Sequence, residues 1–237
     1  TQNITWTGNL KKYDIGGGAL KNGTNYTFNT DGTLNTNSKD KWNATTLTDG
    51  EGITVGGVYS KLKLPTTATT GYRPLFSDIK SVATGGVITT SDKDTDLFSI
   101  SQSDMTPATL LNKFKNDAKL KNLTLDMQLK LLNYLGHDLP LDTTPLPAAL
   151  SSPKDPFTSI GASIHSFPVQ MTYKGTLDAD GNLTSEGTAG ARDQSLLYGS
   201  SEGALRIVNS STGEEQMVFV PAEILNSTAS KALRKGS

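Results

Sequence analysis

Between Leu196 and Val220 three short apolar runs alternate with two glycine-bearing turns. The runs are Ser195-Leu196-Leu197-Tyr198, Ala204-Leu205-Arg206-Ile207-Val208 and Met217-Val218-Phe219-Val220. The turns are Ser200-Ser201-Glu202-Gly203 and Ser211-Thr212-Gly213. Runs of four or five residues are too short for buried helices and have the length of strands. Connections this short permit only antiparallel neighbours. The segment therefore predicts a tight antiparallel meander, the grammar of one propeller blade, in which short strands repeat around an axis.

The same punctuation recurs along most of the chain. Val169-Gln170-Met171-Thr172-Tyr173 alternates and is followed by Asp178-Ala179-Asp180-Gly181-Asn182. Upstream, Arg73-Pro74-Leu75-Phe76-Ser77, Gly86-Val87-Ile88-Thr89 and Leu97-Phe98-Ser99-Ile100 read as strands, with Pro74 at a strand start or edge. Residues 1–64 read as further short strands through Ile4, Trp6, Leu10, Tyr13 and Ile15. They are broken by Gly16-Gly17-Gly18, by the hairpin dipeptide Asp31-Gly32, by Asp49-Gly50-Glu51-Gly52 and by Val55-Gly56-Gly57-Val58. Apolar residues make up only 35% of the chain, so the core must be assembled from many short elements with polar connections. A net charge of -1 argues against nucleic acid, which needs a concentrated basic surface. There is no Cys, which removes disulfides and thiolate metal sites. No apolar run is long enough to span a membrane, so membrane insertion is not expected. The chain opens directly in strand-like sequence without a leader, so it reads either as intracellular or as a mature or excised piece of a longer secreted protein, and the second reading is preferred.

Residues 104–139 break the β pattern. Asp104 or Thr106 can cap a helix with Pro107 in its first turn, and Leu110, Leu111 and Phe114 give it an apolar stripe. A second helix is predicted from Thr124, with Leu125, Leu129 and Leu132 in register, Leu131 and Leu135 widening the stripe and Gly136 ending it. The apolar faces are expected to pack on the rest of the chain. Residues 140–163 form a proline-rich loop. Ala222 to Leu225 begins a short helix.

In this setting the segment from Leu197-Tyr198-Gly199 through Gly203-Ala204-Leu205 and Thr212-Gly213-Glu214-Glu215 to Phe219-Val220-Pro221-Ala222-Glu223 resembles a propeller blade of the PilC/PilY family, adhesins and assembly factors associated with type IV pili. Gly161-Ala162-Ser163-Ile164-His165-Ser166-Phe167-Pro168-Val169 is similar to that family's Gly-Asp-x-x-His-Ser-x-Pro-Val stretch. Trp6 to Tyr13 resembles its opening strand, Trp42 its next tryptophan and Gly56-Gly57 the following glycine pair. Arg73 to Ser77 and Leu132 to Asp138 fall where the family has an Arg before a short strand and a helix ending in Gly-x-Asp. These landmarks follow the family's order over nearly the whole chain. Three positions depart from it: Ala162 replaces an Asp, Phe167 an Arg, and Arg206 a common His.

The resemblance implies a mainly β fold, a partial β-propeller of quinoprotein-like blades with a small α-helical insertion. Residues 1–237 would be one partial propeller domain: opening strands over 1–103, the helical insertion over 104–139, the Pro-rich loop over 140–163 and a blade over 164–225. It implies a non-enzymatic surface or pilus-tip protein, exported through the periplasm. Such a protein serves adhesion, pilus biogenesis and retraction control through loops that meet minor pilins, a host-cell receptor or a glycan. The loops expected to be exposed are 89–96 and 176–190. No cofactor is implied in this segment. The family's calcium loop lies in a later blade, so calcium is an expectation for a longer parent. Two alternatives stay open: a lectin-like carbohydrate-binding module, and a fragment of a quinone-dependent propeller dehydrogenase.

Two acidic stretches are candidate metal sites. Asp92, Asp94 and Asp96 alternate, and in a loop their carboxylates can converge on one Ca²⁺. An EF-hand loop, however, needs Gly at position six and Glu at twelve, where this chain has Leu97 and Ser103. Asp178, Asp180 and Asn182 place Gly181 correctly if Thr176 is position one, but Gly187 stands in for the bidentate Glu. The bland reading of this stretch is a hairpin tip. His137 and His165 are the two histidines. A triad can be drawn with His165, but no Gly-x-Ser-x-Gly elbow accompanies it. Trp6 and Trp42 suit a core better than a sugar platform. Asn3, Asn22, Asn25, Asn43, Asn122, Asn182, Asn209 and Asn226 each begin a sequon, which matters only in a host that glycosylates.

Overall fold

The computed structural model describes residues 7–13, 15–16, 19–22, 25–33, 35–90, 97–140, 143–153, 160–163, 166–182 and 192–227. Strand outweighs helix, 24% to 19%, so the chain is mainly β with a few helices. Its strands are β1 (Ile15–Gly16), β2 (Ala19–Asn22), β3 (Asn25–Tyr26), β4 (Leu75–Ser77), β5 (Ile79–Val82), β6 (Ile88–Thr90), β7 (Phe98–Ser101), β8 (Val169–Gly175), β9 (Arg192–Gly199), β10 (Leu205–Asn209) and β11 (Glu215–Phe219). The helices are α1 (Pro107–Asn116), α2 (Leu125–Tyr134) and α3 (Ala222–Asn226).

The three runs that opened the analysis are β9, β10 and β11. With β8 they form a four-stranded antiparallel meander. Its turns explain their glycines. At Ser200–Gly203 the Gly203 amide donates to Ser200 O at 2.9 Å, with Gly203 at φ 84. At Asn209–Gly213 the Asn209 side chain accepts the amides of Ser211 and Thr212 at 2.8 and 3.0 Å. A Cβ on Gly213 would lie 2.6 Å from the Trp42 ring, so the close approach of the indole itself demands glycine.

The meander does not stop at β11. β4 pairs with β11 in parallel, Val218 opposite Leu75, and β7 closes on β4, giving the order β7-β4-β11-β10-β9-β8. The sheet is thus six-stranded and mixed. Among the described residues the sheets do not close into a ring.

The helices form where predicted, with Thr106 capping α1 and Thr124 capping α2. Thr106 and Thr109 make a reciprocal capping box, and Pro107 sits where its missing N–H is not needed. Gly136 ends the second helical run at φ 98. Leu110, Leu111, Phe114, Leu131, Leu132 and Leu135 pack in one core with Leu75, Ile100 and Val218 of the sheet, Ile79 of β5 and Val220 just after β11. The apolar faces therefore do pack on the chain, and α2 is enclosed from Gln128 to Tyr134.

The first 64 residues meet the strand expectation only in part: β1, β2 and β3 form a three-stranded antiparallel sheet, and the rest differs. Residues 7–13 form a single bridge, Thr7 to Gly161, and no ladder. Their backbone bonds go to scattered partners: Gly8 N to Ile160 O, Lys41 N to Lys12 O and Val58 N to Leu10 O. The glycine pair leads into a 3-10 turn over Val58–Lys61. Alternation created the strand reading, but these residues alternate between a second small core and polar turns. That core contains Trp42, Val58, Ile160, Tyr198 and Val208.

Candidate functional site

Register divides the meander into two unlike faces. Directly opposed residues in a sheet share a face. Tyr198, Arg206, Val218 and Leu75 form one cross-strand row, and all four are buried. The next row over, Val169, Leu197, Ile207 and Met217, lies on the other face. None of those four is buried, and Val169 is 60% exposed. Leu205, Phe219 and Phe76 extend the same face, and they too are only partly covered. At its end a groove of about 540 Å³ is lined by Leu205, Phe219 and Pro221 with Ser200, Ser201 and Ala204 of the β9–β10 turn. At its edge β8 is exposed along its whole length, and Phe167 just before it is 89% exposed. A single exposed Leu needs no explanation, but a contiguous apolar sheet face does.

The inner row is anchored by charge. Arg206 is fully buried and pairs with both Glu202 and Glu215. It also donates to Tyr134 Oη at 2.7 Å and to Ser200 Oγ at 3.0 Å. Arg73, just ahead of β4, reaches the same Glu215, and its guanidinium lies 4.8 Å from the Tyr134 ring centroid. Burial pushes the Glu215 carboxyl up, but Arg73 and Arg206 outweigh it and hold the group below the usual carboxylate range. Burial opposes the charge on Arg206, yet Glu202, Tyr134 and Glu215 keep it firmly protonated. Two guanidiniums and two carboxylates balance, which lets them sit inside a low-dielectric core. The cluster joins β4, α2, β10 and β11 and lies between the two apolar cores. It is sealed and anchors the sheet, with Glu202 Oε2 buried and without a hydrogen-bond partner.

A second buried polar group fixes the 35–62 region. Asp40 accepts the amides of Trp42 and Gly57, each at 2.9 Å. Asp49 accepts Tyr13 Oη at 2.6 Å and Asn43 Nδ2 at 3.1 Å, with the Lys11 ammonium 3.7 Å away. Burial raises the Asp40 carboxyl, and the two amides only partly oppose it. A Cβ on Gly56 would lie 2.1 Å from an Asp40 oxygen, so Gly56 leaves the space that the carboxylate occupies, and a Cβ on Gly57 would meet Asn9 Oδ1 at 2.3 Å.

Of the sequence-derived candidates, Asp178, Asp180 and Asn182 do share one turn. Asp178 Oδ1 accepts the amides of Asp180 and Asn182 at 3.0 and 2.8 Å, and Asp178 N donates to Asn182 O at 2.9 Å. The carboxylate is engaged in building a hairpin tip. Asp92, Asp94 and Asp96 lie outside the described residues, as do Trp6 and His165. Among the described residues no group of three or more His, Cys, Asp or Glu is placed to hold a metal ion. Trp42 is 2% exposed and donates through Nε1 to Ser210 O at 3.1 Å, which makes it a core residue. His137 is buried with its Nε2 2.5 Å from Tyr72 Oη. Among the described residues no helix is long and apolar enough to cross a membrane.

Sequence reasoning missed the charge cluster. A signal was present: in Ala204-Leu205-Arg206-Ile207-Val208 the strand period puts Arg206 on the face of Val208, so a charge was due inside. Comparison with protein-family models, curated proteins and solved structures finds no match to this chain.

Proposed function

We propose that this chain is part of a secreted, non-enzymatic surface protein of the type IV pilus system, a partial β-propeller that holds minor pilins or a pilus-tip partner against one sheet face. Two things support the reading. The ordered resemblance to the PilC/PilY family covers most of the chain, and β8 to β11 have the connectivity of a four-stranded blade.

The observation that carries it is the open row Val169, Leu197, Ile207 and Met217. A blade in a propeller is covered on both faces by its neighbours. Here one face is covered by the helices and by Leu10, Trp42, Val58, Tyr59 and Leu62, and the other presents apolar side chains to solvent. The occupant that fits is a second sheet, stacked about 10 Å away. The exposed hairpin tip at 176–182 borders the same edge. Function then resides in buried area and shape: the charge cluster keeps the sheet rigid, and the apolar face binds.

Purified chain should be retained by purified pili and minor pilins with a saturable binding curve. No retention of the chain, or of a longer parent that carries it, would remove the pilus reading.

A further inference from the structure

Away from the open face, a groove of about 490 Å³ is lined by Lys80 of β5, Leu97, Phe98 and Ser99 at β7, and Lys113, Asp117 and Lys119 of the helical insertion. Three lysines face one aspartate. The Lys113 and Lys119 ammoniums stand 5.2 and 4.6 Å from the centroid of the same Phe98 ring. Each is held there by a backbone carbonyl, Ser99 O for Lys113 and Ile79 O, at 2.8 Å, for Lys119. An ammonium has three donors, and one carbonyl leaves two. Asp117 uses its Oδ1 on the amides of Lys119 and Leu120 at 2.8 and 3.2 Å, and it forms no salt bridge with a groove lysine.

The contrast within the molecule is informative. Lys11, with its side chain 15% exposed, faces the Asp49 carboxylate at 3.7 Å. Lys130, 3% exposed, faces Asp126 at 2.5 Å. In the groove, cations fixed on one aromatic ring have carbonyls and a π face but no ion pair with a described carboxylate. Burial lowers the Lys113 ammonium, with Asp117 and Asp104 opposing weakly. Cations that line one groove and are partly desolvated are stabilised by an anion.

We propose that this groove binds a divalent oxyanion, phosphate or sulfate, free or carried on a small saccharide. Lys113 and Lys119 grip the anion from the Phe98 side, and Lys80 closes the solvent side. A volume of this size takes an anion with about one or two sugar rings. The inference goes beyond the pilus reading and does not need it.

The test is isothermal titration of the chain at low ionic strength with sodium sulfate, sodium phosphate, glucose 6-phosphate, glucosamine 6-sulfate and glucose. Melting temperature is followed in parallel against sodium chloride at matched ionic strength. Sulfate and phosphate stabilise any folded protein weakly by exclusion, so saturation and dependence on the variants decide. Lys80→Gln alters an exposed side chain and leaves the melting temperature in chloride unchanged. It should weaken binding severalfold, while Lys113→Gln with Lys119→Gln should weaken it by about tenfold or more, as loss of charge-assisted bonds does. Lys63→Gln, exposed and outside the groove, should change nothing. Tighter binding of the sugar esters than of the inorganic ions identifies a saccharide-borne anion, and equal binding identifies the free ion. A wild type without saturable binding, or a response equal in wild type, Lys80→Gln and Lys63→Gln, overturns the proposal.

Discussion

Arg73 and Glu215, 142 residues apart in the chain, meet fork to fork: Nε donates to Oε2 at 2.8 Å and Nη2 to Oε1 at 2.6 Å. The pair stands where β4 joins β11 in parallel and so fastens the upstream half of the chain to the meander. Glu215→Ala leaves two buried guanidiniums facing one carboxylate. Removing one partner of a buried pair costs about 3–5 kcal/mol, and urea unfolding should show a loss of that size. Tyr134→Phe removes the hydroxyl that Arg206 reaches and should cost about 1.5–3 kcal/mol, the range for a hydrogen bond to a charged group.

Gly213 and Gly32 separate strain from collision. Both have positive φ, 75 and 82. A Cβ at Gly32 meets nothing within 4 Å, whereas at Gly213 it meets the Trp42 ring at 2.6 Å. Gly32→Ala should cost about 1 kcal/mol, the left-handed penalty alone. Gly213→Ala should cost clearly more and shift the Trp42 emission. Equal costs would show that the indole does not rest on this turn.

His137 makes stability depend on pH. Burial lowers its pKa from 6.5 to about 4, with a backbone bond at Ser151 opposing. The unfolded chain therefore binds a proton between these values that the folded chain does not. The contribution is fully present above about pH 6.5 and is lost as pH falls towards 4, by up to about 3 kcal/mol. Stability measured from pH 7.5 to 4.5 should fall more steeply in wild type than in His137→Gln. Identical slopes would mean that the ring titrates alike in the folded and unfolded chain.

Periodicity made the meander and both helices legible, because each is a local pattern with its own start or stop signals: Thr106 and Thr124 open the helices, and Gly136, Gly203 and Gly213 mark a helix end and two turns. The parallel pairing of Leu75 with Val218 was not legible, since no local pattern states which distant strand completes a sheet edge. The 35–62 region was misread because its apolar residues, Trp42 and Val58, are spaced by turns that mimic alternation. Its order comes from the Asp40 and Asp49 carboxylates binding backbone and side-chain donors across long loops. The groove lysines were visible as residues but not as a site, because their convergence on Phe98 depends on how the helices lie on the sheet.

The open face should be separable from stability. Phe167→Ser and Val169→Glu alter side chains that are 89% and 60% exposed. Each should leave the melting transition nearly unchanged, within about 0.5 kcal/mol, as surface substitutions do. A transition that collapses in either variant would show that these side chains support the fold rather than a partner.

The most direct measurement is the binding isotherm of the chain on purified pili and minor pilins, for wild type and for Phe167→Ser combined with Val169→Glu. The account predicts saturable binding by wild type and a loss of about tenfold or more in the variant with its fold intact, the scale of a lost aromatic anchor. Equal binding by the two proteins would contradict the open face as the contact, and no binding by wild type would contradict the pilus reading itself.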